Sequence, residues 1–175
     1  MVVNRQPPNL GRLIVSSRLK TDSHYDADNF GTHPCGDARC RTCRHVNNDI
    51  QLTRNNFTFR VRGRFSCRSS GVVYLIRCNL CPVAWYIGET CNPLRTRLTG
   101  HRQTITHENI SVPVGQHFNL PGHSLDNLNV LVLKGGLHDI NNRIKFETEM
   151  IIKFGTHMDG LNRDVNFMSH YKAIL

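Results

Sequence analysis

Seven cysteines and ten histidines occur in 175 residues, and most of the cysteines fall at spacings that suit a metal. Cys35-x4-Cys40-x2-Cys43 places three soft ligands within nine residues. A structural zinc takes four ligands in a tetrahedron, with Zn–S near ~2.3 Å. Cys67 is the natural fourth, and His45 and His33 are its rivals. Cys78-x2-Cys81 is half of a second site, for which His117-x5-His123 suits the other half. Thiolates bind only when deprotonated, so each metal and the fold around it form together. Two structural Zn²⁺ ions are expected, with Cys91 left as a free thiol. An odd cysteine count behind an N-terminus without a signal peptide argues for a reducing, intracellular compartment, not a disulfide framework.

A second set of residues has the chemistry to act on a phosphodiester. Hydrolysis there needs an activated water, a neutralised phosphoryl charge and a stabilised leaving oxygen. Arg97 and His101 stand four apart in a segment with helical signals, so they share one face. A guanidinium fork matches phosphate oxygens geometrically. Glu147 is a hard carboxylate suited to one Mg²⁺ or Mn²⁺, which polarises phosphate and stabilises a leaving 3′-oxygen. Glu149, two places on, falls on a different helix face. Tyr74 and Tyr86 lie on apolar runs either side of the Cys78/Cys81 knuckle. Singly, these are ordinary strand aromatics and a solvated basic face; their conjunction is what calls for explanation.

The elements that must position them follow from periodicity. Residues 72–77 and 84–88 are rich in β-branched and aromatic types and read as paired strands. Asn92 is a helix N-cap, Pro93 takes the first helical position, and Leu94, Leu98 and Ile105 form an apolar face. Residues 111–123, broken by prolines and glycines, read as a loop. "LNVLVLK" (128–134) alternates as a third strand. "INNRIKFETEMIIKF" (140–154) is helical through Phe146, Met150, Ile151 and Phe154, with Gly155 as its C-cap. The organisation expected is a basic lead-in over 1–30 with an apolar patch at 10–19, a zinc-binding module over 31–70, and an α/β (α+β) domain over 71–175 whose tail is irregular with a short final helix. The module is too poor in large apolar residues to fold without a staple.

The net charge of +9 and pI near 9.6 favour a polyanionic partner, because neutralised phosphates release counterions. No apolar run approaches the ~20 residues of a bilayer span, and no basic amphipathic helix or lipidation signal points to a membrane. Arg60, Arg62, Arg64 and Arg68 bracket the first cysteine cluster, and Arg95 and Arg102 flank Arg97; all are candidates to track a DNA backbone.

"VVY" (72–74) and "YIG" (86–88), then Leu94-x2-Arg97-x3-His101, Glu147 and Gly160-Leu161-Asn162, occur in the order and rough spacing of the GIY-YIG endonucleases. The chain resembles that family over residues 71–162, departing from it where Gly71 falls one place too early for a strict GIY. The cysteine pair between the tripeptides, the two later histidines and the upstream cluster are similar to the endonuclease domain of Penelope-like retroelements. The resemblance implies a small domain with a central three-stranded sheet flanked by helices, carrying an inserted Cys2His2 zinc site. It implies a Mg²⁺-dependent DNA endonuclease that nicks one strand and leaves a 3′-OH for target-primed reverse transcription in the nucleus. The partners would be target DNA, retroelement RNA and a reverse transcriptase in the same parent polypeptide. Tyr74 and Tyr86 would flank the attacking water, one of them or His101 would be the general base, and Asn162 would brace the site. The alternative is a zinc-stabilised nucleic-acid-binding module without catalysis.

Overall fold

Four short strands open the computed structural model, which describes residues 29–163. The patch at 10–19 and the tail from 164 lie outside them. β1 (Gly31–His33) pairs in parallel with β4 (Arg64–Ser66), and β2 (Gln51–Arg54) forms an antiparallel hairpin with β3 (Phe57–Arg60). Next come β5 (Val72–Cys78), β6 (Trp85–Thr90) and β7 (Leu128–Lys134), an antiparallel sheet in the order β6-β5-β7. Three α-helices are found among the described residues: α1 (Leu94–Thr106), α2 (Pro113–Phe118) and α3 (Ile140–Phe154). None is long and apolar enough to cross a membrane.

β5 explains the unbroken apolar run in the sequence. It is the central strand and is covered on both faces, so alternation with polar residues is not required. Val72, Tyr74 and Ile76 meet Leu94, Leu98 and Ile105 of α1 and Val114 and Phe118 of α2. Val73 and Leu75 meet Met150, Ile151 and Phe154 of α3 on the other face. Leu52 of β2 and Val61, just past β3, join that second cluster, so the cysteine-rich segment shares the sheet's core. Each such fully buried aliphatic side chain contributes ~1.5–3 kcal/mol of transfer free energy. The result is a mixed α/β chain with a three-stranded sheet between helices, and the third strand and last helix have the expected boundaries.

Two local expectations fail. Pro93 is the N-cap of α1, not its first helical residue, and Asn92 makes no cap. The orphan amides are instead satisfied by the preceding segment: Leu94 N donates to Ser69 O (2.9 Å) and Arg95 N to Cys67 O (2.8 Å). Residues 113–118 are helical, not loop. Pro113 sits at the helix start, where its missing N–H costs nothing. Gly115 lets that turn lie against Asn109 O, which an added Cβ would meet at 2.0 Å.

Candidate active site and metal clusters

Tyr74 and Gly88 are direct partners across β5 and β6, which places the two tripeptides side by side. The ring of Tyr74 lies over Gly88, so close that a Cβ there would stand 2.6 Å from Tyr74 Oη. Tyr74 is fully buried, and its hydroxyl meets two residues of α1. Arg97 Nε donates to Tyr74 Oη at 2.9 Å, and Oη lies 2.8 Å from His101 Nε2. With one lone pair of Oη taken by Arg97, the phenolic proton points to His101, which neutral imidazole accepts. His101 takes a core position between Leu98 and Ile105 and is buried. Burial first, and the Arg97 charge second, draw its pKa down to about 3. Burial likewise pushes both tyrosines up. Tyr86, half-buried, sets its ring edge-on to that of His101 at 5.4 Å and tilted to that of Tyr74 at 6.5 Å.

Glu147 projects from α3 toward the same place, within electrostatic reach of Tyr74, Tyr86 and Arg97. Burial and then the neighbouring charge of Glu89 raise its pKa to about 7, against partial relief from the Glu89 backbone, Arg97 and Arg143. Glu149 is exposed and pairs with Lys153 instead (2.6 Å). Asn162 touches none of these atoms. Its carboxamide accepts from Ile87 N (2.8 Å), donates to Ile87 O (2.7 Å), and so pairs with the outer edge of β6 as a strand would.

Three residues escape sequence reasoning. Gly88 was visible only as part of a tripeptide; its steric need depends on register. Glu89 and Arg143 form an ion pair, with Arg143 buried and also donating to Leu137 O (3.0 Å). A signal for Arg143 existed, one helical turn before Glu147 on the same face.

Both cysteine clusters form, and each can hold a metal such as zinc. The ligand atoms of Cys35, Cys40, Cys43 and Cys67 lie within 4.8 Å of one another, as do those of Cys78, Cys81, His117 and His123. Sulfur separations of 3.6 Å for Cys35–Cys43 and Cys43–Cys67 are far too long for a disulfide. They approach the edge of about 3.8 Å that a tetrahedron with ~2.3 Å Zn–S bonds requires. The Asp37 amide draws Cys35 down to about 7, while burial pushes Cys67 well up, a cost that a cation replacing its proton would remove. In the second cluster Cys81 Sγ is 3.2 Å from His123 Nε2, and His117 Nε2 is buried without a partner. An orphaned imidazole nitrogen aimed at two thiols is what a metal site leaves behind. The rivals are not ligands: His45 is buried against Leu128 O (3.2 Å) and accepts from Arg44, and His33 bonds Asn29 O (3.2 Å). Cys91 is exposed and outside both clusters.

Of the candidate backbone-tracking arginines, Arg60, Arg62 and Arg64 are exposed on or beside β3 and β4. Arg68 and Arg95 both approach Asp37, at 3.9 and 3.6 Å. Arg95 and Arg102 share a groove on α1.

Comparison of the chain with protein-family models, curated proteins and solved structures finds no match.

Proposed function

We propose that the chain is a Mg²⁺-dependent DNA endonuclease of GIY-YIG type, the nicking domain of a Penelope-like retroelement. The observation that carries this reading is the meeting of Tyr74 Oη, Arg97 Nε and His101 Nε2 within hydrogen-bond distance, with Glu147 aimed at them from another helix. A binding module needs no half-buried carboxylate beside a tyrosine–histidine pair.

Arg97 is exposed while its Nε is held by Tyr74, so the outer face of its guanidinium can turn to a phosphate oxygen. One of Tyr74, Tyr86 and His101 takes the water's proton, and the Tyr74 hydroxyl links the cluster to His101 Nε2 for its onward passage. Oxygen attacks phosphorus, the bond to the 3′-oxygen breaks, and that oxygen takes a proton from solvent to leave 3′-OH and 5′-phosphate. His101 is a poor base in the free chain, because burial first and Arg97's charge second oppose its protonation. A bound phosphodiester neutralises that charge and lifts part of the opposition. Glu147 fits a hard cation: its carboxylate is drawn from water and faces the charge of Glu89, a cost that a divalent ion would offset. Bound there, Mg²⁺ or Mn²⁺ would polarise the phosphate and carry charge on the leaving oxygen. In a retroelement the freed 3′-OH would prime reverse transcription on target DNA, with a polymerase supplied by the same parent polypeptide.

The test is nicking of supercoiled plasmid in Mg²⁺ by the chain and by Glu147→Ala at matched zinc content. Conversion to open circle by the first alone supports the reading. Binding without cleavage by both assigns the chain to the non-catalytic zinc-stabilised class.

A further inference from the structure

α1 has a second functional face. Arg97 and His101 project to one side of it; Arg95, Thr99 and Arg102 recur at helical spacing on the other. That second face and the loop of the first cysteine cluster enclose an open groove of about 700 Å³, into which Arg39 and Arg41 also project. Asp37 is the only carboxylate lining it.

Three observations call for an anion there. Arg102 donates Nη2 to Thr99 Oγ1 (2.8 Å), but its Nη1 is buried with no partner. Burial, and the positive charges of Arg41 and Arg44, act against that guanidinium in the free chain. Gly100, mid-helix, lines the groove with nothing within 4 Å of where its Cβ would be. A glycine there weakens the helix, and no packing neighbour requires it; a ligand approaching the bare backbone does. The metal does not remove the need for an anion. A zinc tetrathiolate carries two negative charges and Asp37 a third. Against these stand six arginines: Arg39, Arg41, Arg44, Arg68, Arg95 and Arg102.

We propose that this groove holds the phosphate backbone of a nucleic-acid strand, with Arg41 and Arg102 as its principal contacts and Gly100 as the bare surface over which the strand crosses α1 toward Arg97. The proposal rests on the nucleic-acid part of the function above and not on cleavage. A groove whose contacts are guanidinium to phosphate positions the strand without reading its sequence. The first cysteine cluster then has a role beyond folding: its loop forms one wall.

The experiment measures binding of a fluorescent 30-base-pair duplex by anisotropy, with zinc-loaded chain, from 50 to 200 mM salt. Arg41→Gln/Arg102→Gln should weaken binding roughly tenfold and lower the slope of log affinity against log salt by about 1–2, as for one or two lost phosphate contacts. Gly100→Glu, which places a carboxylate in the groove while improving the helix, should weaken binding with the fold intact by circular dichroism. If the arginine pair does not fold, arginine modification by phenylglyoxal, read by mass spectrometry, replaces it. Duplex should then protect Arg41 and Arg102 of the unaltered chain. Failure of the unaltered chain to bind duplex overturns the proposed function and the groove together. Binding whose salt slope survives both variants, or no protection of those arginines, overturns the groove alone. So does a fluorescent acidic peptide that binds the unaltered chain and is lost from both variants while duplex binding is kept.

Discussion

Replacing Gly88 by alanine tests the packing that creates the tyrosine–arginine–histidine cluster. The added methyl carbon would lie 2.6 Å from Tyr74 Oη and 2.8 Å from both Tyr74 Cζ and Tyr86 Cε1. Relaxed contacts with carbon are near ~3.5 Å, so one ring or both must move by roughly 0.7–1 Å. Tyr74 has nowhere to go, since its strand is buried on both faces and its ring packs under α1. Moving Oη that far breaks its bonds to Arg97 and His101. Overpacking costs ~1–3 kcal/mol and the two lost hydrogen bonds about 1 kcal/mol each, for a sum of about 3–5 kcal/mol. Urea denaturation of the zinc-loaded chain measures it, with Gly100→Ala as the control. That site is open and helical, so alanine there should stabilise by ~0.5–1 kcal/mol. A Gly88→Ala midpoint within about 0.5 kcal/mol of the parent chain, or an unchanged ¹⁵N shift at His101 Nε2, would refute the reasoning.

Asn162→Ala should cost ~1–3 kcal/mol and speed amide exchange at Ile87, because it leaves a buried residue's N–H and C=O without partners at the sheet edge. Without divalent ions, Glu147 and His101 should give opposite pH dependences to stability. Glu147 holds its proton up to about pH 7 against an ordinary 4.5, so the folded chain binds more protons across that window and stability falls as pH rises through it, by at most about 3 kcal/mol. His101, at about 3 against 6.5, binds fewer protons when folded, so stability falls as pH drops from about 6.5 toward 3. Urea midpoints against pH for Glu147→Gln and His101→Gln should change slope in opposite senses. Metal analysis should find two zinc ions per chain, and Cys67→Ser and Cys78→Ser should each lose one and fold less stably, read by thermal melts with and without chelator.

The strand 128–134 and the helix 140–154 were legible to the residue, because each carries a full period of apolar positions between clear stops. Both cysteine clusters were legible too, as ligand chemistry imposes spacing on the chain, and so was the preference for Cys67 over His45 and His33 as the fourth ligand. His45 turns inward to Leu128 O, a contact across 83 residues that no local pattern reports. The N-cap of α1 was misread because the groups that satisfy its amides are carbonyls of the preceding segment. Residues 113–118 misled because Pro113 and Gly115 look like breakers, yet one starts the helix and the other permits its close packing. In the candidate site, residue types were readable and distances were not. The apposition of Tyr74 with Gly88 comes from strand register, which six residues of turn conceal.

The cysteine clusters and the tyrosine site are parts of one mechanical arrangement, and α1 is what joins them. Its first amides bond Ser69 O and Cys67 O, so the helix that carries Arg97 and His101 begins on the backbone of a cysteine in the first cluster. Toward its other end, Gly115 of α2 lies against Asn109 O and the Thr104 methyl, and α2 carries His117 of the second cluster. The second cluster also holds Cys78 at the end of β5, the strand bearing Tyr74. Each half of the Tyr74–His101 hydrogen bond is thus fixed to an element that a cysteine cluster anchors. An exposed guanidinium and a buried imidazole must keep their places within a few tenths of an ångström of one hydroxyl, in a chain whose α1 has no side-chain cap. Metal held at both clusters would supply the rigidity that α1 lacks on its own, which would account for two staples on so small a sheet.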